Sequence, residues 1–424
     1  MTTTVTTAAR SRTGFIGLLT ADGISMLGTR MSMLAIPWFV LITTGSATKT
    51  GFAAFCELAP FVVVQAVGGP IVDRWGPRRI AISTDLIAGL VLATVPILYA
   101  KDVLTFPMLL AALAVSGAVR GAGDSARVVL LPGVQEPAQI SLERATGIYD
   151  GVNRTTSMIG APLAGFLIAM LSAPWVIAID ALTFVVSGSL VALLIPRSAD
   201  PIRDAHAHLE GEPDASYMEQ LRVGLRFIRA DRLLMGIAVM VFVTNLLDMG
   251  MSSVLLPVWI EDEIGDPLAL GLVAAALGLG AVLGNTAAAW VGERLPRRRT
   301  YGWGFIIGGA PRFLILAVAM TLSPVLAVSF VSGLAVGVIN PILGAVEYER
   351  VPRTMQARVL GTLGAVAWAG MPLGGLLAGA MVTGFGLTQT LLVMGGVYFV
   401  TTMAPFVFPC WRAMDRGQTE LPVT

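Results

Sequence analysis

Apolar stretches of twenty residues or more follow one another along nearly the whole of this 424-residue chain. A segment of that length can cross the hydrocarbon core of a bilayer as a helix. No water reaches the backbone there, so each N–H and C=O must be satisfied within the segment itself. A hydrophobic share of 55%, with only 13% charged residues and a mean hydropathy of +0.78, lies far outside the range of soluble domains. Spans are predicted at 14–43, 50–72, 80–100, 104–131, 142–171 and 174–195, then at 232–260, 267–291, 300–321, 323–348, 354–382 and 387–409. The expected fold is an all-α integral membrane protein of twelve transmembrane helices in two six-helix pseudo-repeat bundles. The bundles cover 1–195 and 232–424, joined by a cytoplasmic linker at 196–231.

The basic residues orient these spans. Twenty of the 28 Lys and Arg residues fall in a few short connections, all on one side. They are Arg10 and Arg12; Arg74, Arg78 and Arg79; Arg144; the 197–232 stretch; Arg294 to Arg299; Arg350 and Arg353; and Arg412 and Arg416. The intervening loops hold Lys49 and Lys101. This positive-inside bias predicts a multi-pass cell-membrane protein with both termini in the cytoplasm. With the Arg clusters explained by topology, a net charge of +1 gives no reason to expect nucleic acid. The Arg to Lys ratio of 26 to 2 suits a high-GC bacterial genome, and hence an inner membrane. Met1 to Thr13 is polar and the first apolar segment outruns a signal peptide, so no cleaved leader is expected. Cys56 and Cys410 fall near opposite membrane faces and are expected to be unpaired. The linker, with Pro201, His206, His208, Glu210, Glu212, Pro213 and Asp214, passes into an amphipathic stretch, Tyr217 to Ala230, suited to a short helix on the cytoplasmic surface.

The two halves repeat one another. Leu34-Ala-Ile-Pro-Trp38 in the first span matches Leu255-Leu-Pro-Val-Trp259 in the seventh. Asp73-Arg-Trp-Gly-Pro-Arg-Arg79 after span 2 matches Glu293-Arg-Leu-Pro-Arg-Arg-Arg299 after span 8. Gly160-Ala-Pro-Leu-Ala-Gly165 in span 5 matches Gly370-Met-Pro-Leu-Gly-Gly375 in span 11. Glu136-Pro137 with Arg144 and Gly147 matches Glu349 and Pro352 with Arg358 and Gly361. Four matches in the same order point to a duplicated six-helix unit, a common way of building transporters.

The segment Gly69-Pro-Ile-Val-Asp-Arg-Trp-Gly-Pro-Arg-Arg79 resembles the signature between helices 2 and 3 of the major facilitator superfamily. Ala126-Arg-Val-Val-Leu-Leu-Pro132, and Ser25-Met-Leu-Gly28 leading to Ala35-Ile-Pro-Trp38, resemble the branch holding macrolide-type drug efflux proteins and siderophore exporters. The resemblance implies that Gly69, Asp73, Arg74, Gly76 and Arg78 form a conformational latch. Topology alone also accounts for the arginines, although not for the Asp among them. Glu293 and Pro296 depart from the pattern in the second copy. Gly160 to Gly165 is similar to the helix 5 signature of antiporters, with Ala161 and Phe166 in place of glycines.

Ionisable residues at bilayer depth are functional candidates because each is costly there. Asp22, Met26, Thr29 and Met33 share one stripe of the first span, suited to a cavity wall. Asp22 and, in span 2, Glu57 are the expected proton carriers; permanent pairing with an Arg is the alternative for Asp22. Asp248 with Asn245, Met249 and Ser252 forms a second stripe, and Asn245, Asp248 and Ser252 join Met26, Thr29 and Met33 as expected substrate contacts. Arg120, Asp124 and Arg127 share a face of span 4, and Asp150 and Arg154 a face of span 5. Pairs between Arg120 and Asp150, or Asp124 and Arg154, are expected to tune the coupling acids or to lock the two helices. The resemblance assigns the tuning role to Arg120, although Gly123 stands where the family has Gln. For Asp180 a packing hydrogen bond competes with a transport role.

No Gly-x-x-x-x-Gly-Lys-Ser/Thr, His-Glu-x-x-His or paired-Cys spacing is present, so nucleotide hydrolysis, metal chemistry and a cofactor are not expected, and neither is an enzyme. The reading is a monomeric, proton-coupled transporter that exports drugs or secondary metabolites by alternating access. The alternative is a siderophore or narrow-substrate metabolite transporter, in either direction. The partners implied are a small-molecule substrate, protons and the lipid bilayer.

Overall fold

A computed structural model describes residues 3–197, 217–291 and 294–415. The linker residues Pro201 to Asp214, Glu293 and Arg416 lie outside them, as do the side chains of Arg10 and Asp73. Among the described residues, twelve helices are long and apolar enough to cross a membrane. They are span 1 (Arg12–Thr44), span 2 (Ala47–Val67), span 3 (Pro77–Ala100), span 4 (Phe106–Gln135), span 5 (Leu142–Leu171) and span 6 (Ala173–Leu194). Then follow span 7 (Arg232–Glu263), span 8 (Leu268–Trp290), span 9 (Arg297–Val318), span 10 (Leu322–Arg350), span 11 (Arg358–Phe385) and span 12 (Leu387–Val407). The chain is a multi-pass membrane protein.

Prolines act differently in the two sets. Spans 1 to 5 run as continuous helices through Pro37, Pro60, Pro96, Pro132 and Pro162. Spans 9, 10 and 11 break at Gly309, Val338 and Gly370, each shortly before Pro311, Pro341 and Pro372. Proline removes a backbone donor and crowds the carbonyl four residues earlier, so a break just upstream is its natural outlet. Of the matched motifs in spans 5 and 11, only the second therefore interrupts its helix. In span 7 a π-helical turn over Met251–Leu255 separates two α-helical pieces.

The chain divides into two compact units: Met1–Phe39 with Phe55–Pro213, and Val40–Ala54 with Asp214–Thr424. The ends of spans 1 and 2 around their connecting turn thus group with the C-terminal residues. There the Thr48 hydroxyl is 2.6 Å from that of Thr383 and donates to Gly379 O at 3.2 Å.

Within the first unit span 3 packs on spans 4 and 6; within the second, span 8 packs on span 10, 7 on 11 and 9 on 12. Glycine permits the closest approaches. A Cβ on Gly117 would sit 1.9 Å from Glu57 O, and one on Gly121 2.5 Å from Phe61 O, so span 4 lies backbone-to-backbone on span 2. In the second unit Gly333 and Gly337 hold span 10 on span 8 with built-Cβ distances of 2.1 Å and 2.3 Å to Leu277 O and Ala281 O. The same Gly-x-x-x-Gly spacing on the fourth span of each set is a further trace of the repeat.

The helix Tyr217–Ala230 forms as the sequence predicts. Phe227 and Ile228 join Leu234 and Ala238 of span 7 and Val359 and Leu363 of span 11 in one apolar cluster. Its polar side leaves Arg222, Arg226 and Arg229 exposed. Asp231 starts span 7 by accepting hydrogen bonds from Leu233 N at 2.9 Å and Leu234 N at 3.2 Å, and its other oxygen pairs with Arg350. Cys56 and Cys410 are both free.

Candidate functional site

Within the first unit, charge gathers around Arg127 of span 4, which is only 2% exposed. Its guanidinium lies 3.7 Å from Asp22 Oδ1 and 3.1 Å from Asp124 Oδ1, and it pairs closely with Asp85 of span 3. It also donates to Ser25 Oγ at 3.3 Å and Ser187 Oγ at 3.4 Å. One cation therefore serves three carboxylates, two of them, Asp22 and Asp85, almost wholly buried. Among the described residues, Oδ2 of Asp22 and Oδ2 of Asp85 have no hydrogen-bond partner. A buried cluster with more carboxylates than cations is unfavourable until the excess charge is neutralised, and a proton is the smallest neutraliser.

Glu57 does not share that cation. Arg120 Nη1 is 2.8 Å from Glu57 Oε1, with both side chains about nine-tenths buried, and the guanidinium also sits 5.2 Å from the Phe61 ring centre. The expected pairing of spans 4 and 5 is thus corrected. Arg120 finds Glu57 because Gly117 and Gly121 draw span 4 onto span 2, while Asp124 pairs with Arg127 one turn along its own helix. Asp150 and Arg154 are exposed and form no ion pair among the described residues.

Asp180, 1% exposed, sits where span 6 meets span 1: the Thr183 hydroxyl is 3.2 Å from its Oδ1, and a Cβ on Gly28 would come within 2.3 Å of that oxygen. On the predicted stripe of span 1, Thr29 is buried while Met26 and Met33 are half-buried, and Arg30 Nη1 approaches Met33 Sδ at 3.8 Å. Gly160 of span 5 lies over Arg30, its built Cβ 2.5 Å from Arg30 Cβ.

The latch segment is helical over Gly69–Trp75 and turns at Gly76, whose φ of 86° favours glycine. Arg74 is exposed. Arg78 donates to Ile195 O at 2.7 Å and Ala192 O at 2.6 Å, satisfying carbonyls at the end of span 6 that have no intrahelical donor.

The second unit holds a cavity of about 400 Å³ lined by Asn245, Asp248, Phe305, Glu347, Trp368 and Tyr398 among others. Arg312 of span 9 pairs with Asp248, and Asn245 Nδ2 donates to Ala367 O at 2.9 Å. The expected contact Ser252 does not line this cavity; it is exposed and bonds back to Met249 O at 3.3 Å. The π turn beginning at Met251 disturbs the regular 100° spacing from which its stripe was drawn.

Sequence reasoning passed over Arg30, Asp85, Arg312, Glu347 and Tyr398. Each of the charged four stands in a predicted span, so intramembrane charge alone is the signal that could have found them.

The profile of the Major Facilitator Superfamily matches residues 18–247 and 238–422. The chain is 28% identical over 401 residues to the multidrug efflux pump Tap of Mycobacterium tuberculosis, covering 94% of each chain. It is 20% identical over 394 residues to macrolide efflux protein A of Streptococcus pyogenes, covering 90% of this chain and 92% of that one. Among solved structures it is similar to the nucleoside transporter NupG, with a TM-score of 0.72 at 12% identity over 93% of this chain and 99% of that one. The twelve-span fold, its duplicated motifs and the match along almost the whole length agree: the chain belongs to the Major Facilitator Superfamily.

Proposed function

We propose that this protein is a proton-coupled secondary transporter that exports drugs or secondary metabolites across the cytoplasmic membrane by alternating access. The observation that carries the reading is the buried Arg127 cluster, where three carboxylates share one guanidinium. In this mechanism Asp22 takes up the coupling proton, with Asp124 as the more exposed member through which it passes. The Glu57 and Arg120 pair responds to that charge change, and loss of the proton to the cytoplasm resets the cycle. Met26, Thr29 and Met33 in the first unit, and Asn245 and Asp248 in the cavity of the second, contact the substrate. Gly69, Asp73, Arg74, Gly76 and Arg78 act as the conformational latch, with both termini in the cytoplasm and the chain a monomer. The efflux function of the relatives named above, over nearly their whole length, supports the substrate class.

The test is transport of a panel of cationic and neutral drugs into inverted membrane vesicles, with the proton gradient imposed or collapsed. Accumulation that follows the gradient is expected. Transport of no panel member by folded protein favours a siderophore or narrow-metabolite substrate, and gradient-independent accumulation refutes proton coupling.

A further inference from the structure

The cavity of the second unit contains one acid that no described residue neutralises. Of its described lining residues only Asp248 and Glu347 are carboxylic acids, and none is Lys, Arg or His. Asp248 is matched by Arg312. Glu347, half-buried on span 10, has neither an ion pair nor a side-chain hydrogen bond among the described residues. On span 9, Tyr301 is wholly buried with a hydroxyl that has no partner among the described residues. The cavity therefore holds one more acid than it has cations to match, in a wall of apolar and aromatic side chains with the amides of Asn245 and Asn340. Phe305, Trp368 and Tyr398 add ring surfaces, the natural complement of a cation with an apolar body. About 400 Å³ is the size of a drug-like ligand site, too large for a simple ion alone.

We propose that Glu347 is the charge selector of this cavity, and that the cavity takes organic monocations with aromatic bodies. The inference rests on the export reading for its biological sense, but the site is testable by binding alone. An anionic substrate is disfavoured because no cation lines the wall to meet it. Neutral ligands gain the aromatic surface without the ionic contact, so they bind without using Glu347.

The test compares tetraphenylphosphonium with uncharged triphenylphosphine oxide, which shares its phenyl rings. Binding is measured on the purified full chain in lipid nanodiscs, for wild type, Glu347→Gln and Glu347→Asp. Losing one charged contact is expected to weaken tetraphenylphosphonium about tenfold in Glu347→Gln, with triphenylphosphine oxide unchanged within about twofold. Glu347→Asp keeps a preference for the cation. Should Glu347→Gln misfold, Leu343→Glu in the otherwise unchanged chain adds a second acid one turn along the same cavity-lining helix, and the preference for the cation is expected to rise; no rise overturns the proposal. Equal weakening of both probes, an unchanged cation affinity, or no binding of either probe to wild type overturns the proposal. Discrimination in binding with no transport of either probe upholds the site and removes the export reading instead; transport of both without discrimination does the reverse.

Discussion

Replacing Arg127 by Gln tests the central cluster most severely. The substitution removes the cation beside Asp22 and Asp85, 2% exposed each, and leaves both carboxylates in a low-dielectric interior. Removing one partner of a buried pair costs about 3–5 kcal/mol, because the other charge is stranded. Asp124, whose side chain is 30% exposed, can be solvated and adds little. For a unit of roughly 200 residues that loss corresponds to a fall in Tm on the order of 10 °C. A double-mutant cycle with Asp85→Asn isolates the interaction. The Asp85 carboxylate is the partner held most closely, so Asp85→Asn in the Arg127→Gln background removes one stranded charge and should recover about 2 kcal/mol. The assay is thermal unfolding of purified protein in detergent, followed by the fluorescence of a thiol dye at Cys56 and Cys410. A Tm of Arg127→Gln within about 2 °C of wild type, or strictly additive losses in the double variant, would show that Arg127 does not hold these carboxylates and would refute the reasoning.

Two further outcomes follow from the packing. Gly117→Ala places a methyl 1.9 Å from Glu57 O, so spans 2 and 4 must part by roughly 1.5 Å. That stretches the 2.8 Å Glu57 to Arg120 contact past pairing distance, and a Tm loss worth about 2–3 kcal/mol is expected, with Gly333→Ala, its counterpart against span 8, costing a similar amount; a loss at neither site removes the close-approach argument. Asp231→Ala removes the start of span 7 and strands Arg350, for about 3 kcal/mol, whereas Asp231→Asn keeps the capping oxygen and costs less; equal losses in the two variants would mean that the cap contributes nothing.

The spans were legible because a bilayer leaves apolar length almost no alternative to helix, and the duplicated motifs gave the repeat. What was not legible was partner choice. Helical spacing places Arg120, Asp124 and Arg127 on one face of span 4, but says nothing about which span that face meets. Asp150 and Arg154 on the next span were the expected partners, while Gly117 and Gly121 direct span 4 to span 2. Their four-residue spacing was present in the sequence, and small residues at that spacing mark close helix contact. Asp85 and Arg312 each stand alone in apolar runs and acquire meaning only from the residues opposite. Arg78 reads as a topological or latch charge, and its bonds to the end of span 6 depend on a carbonyl geometry that no side-chain pattern encodes. Ser252 was misplaced because a π turn cannot be anticipated from helical periodicity.

The measurement that bears most directly on proton-coupled export follows protons and substrate together in one preparation. Purified protein is reconstituted in liposomes with a pH-sensitive dye inside and no preset proton gradient, and a transported drug is then added outside. Wild type is expected to move protons out as drug enters, and Asp22→Asn, folded by its melting profile, is expected to lose the proton signal. Drug entry with no accompanying proton movement in wild type, or an unchanged proton signal in Asp22→Asn, would contradict the account.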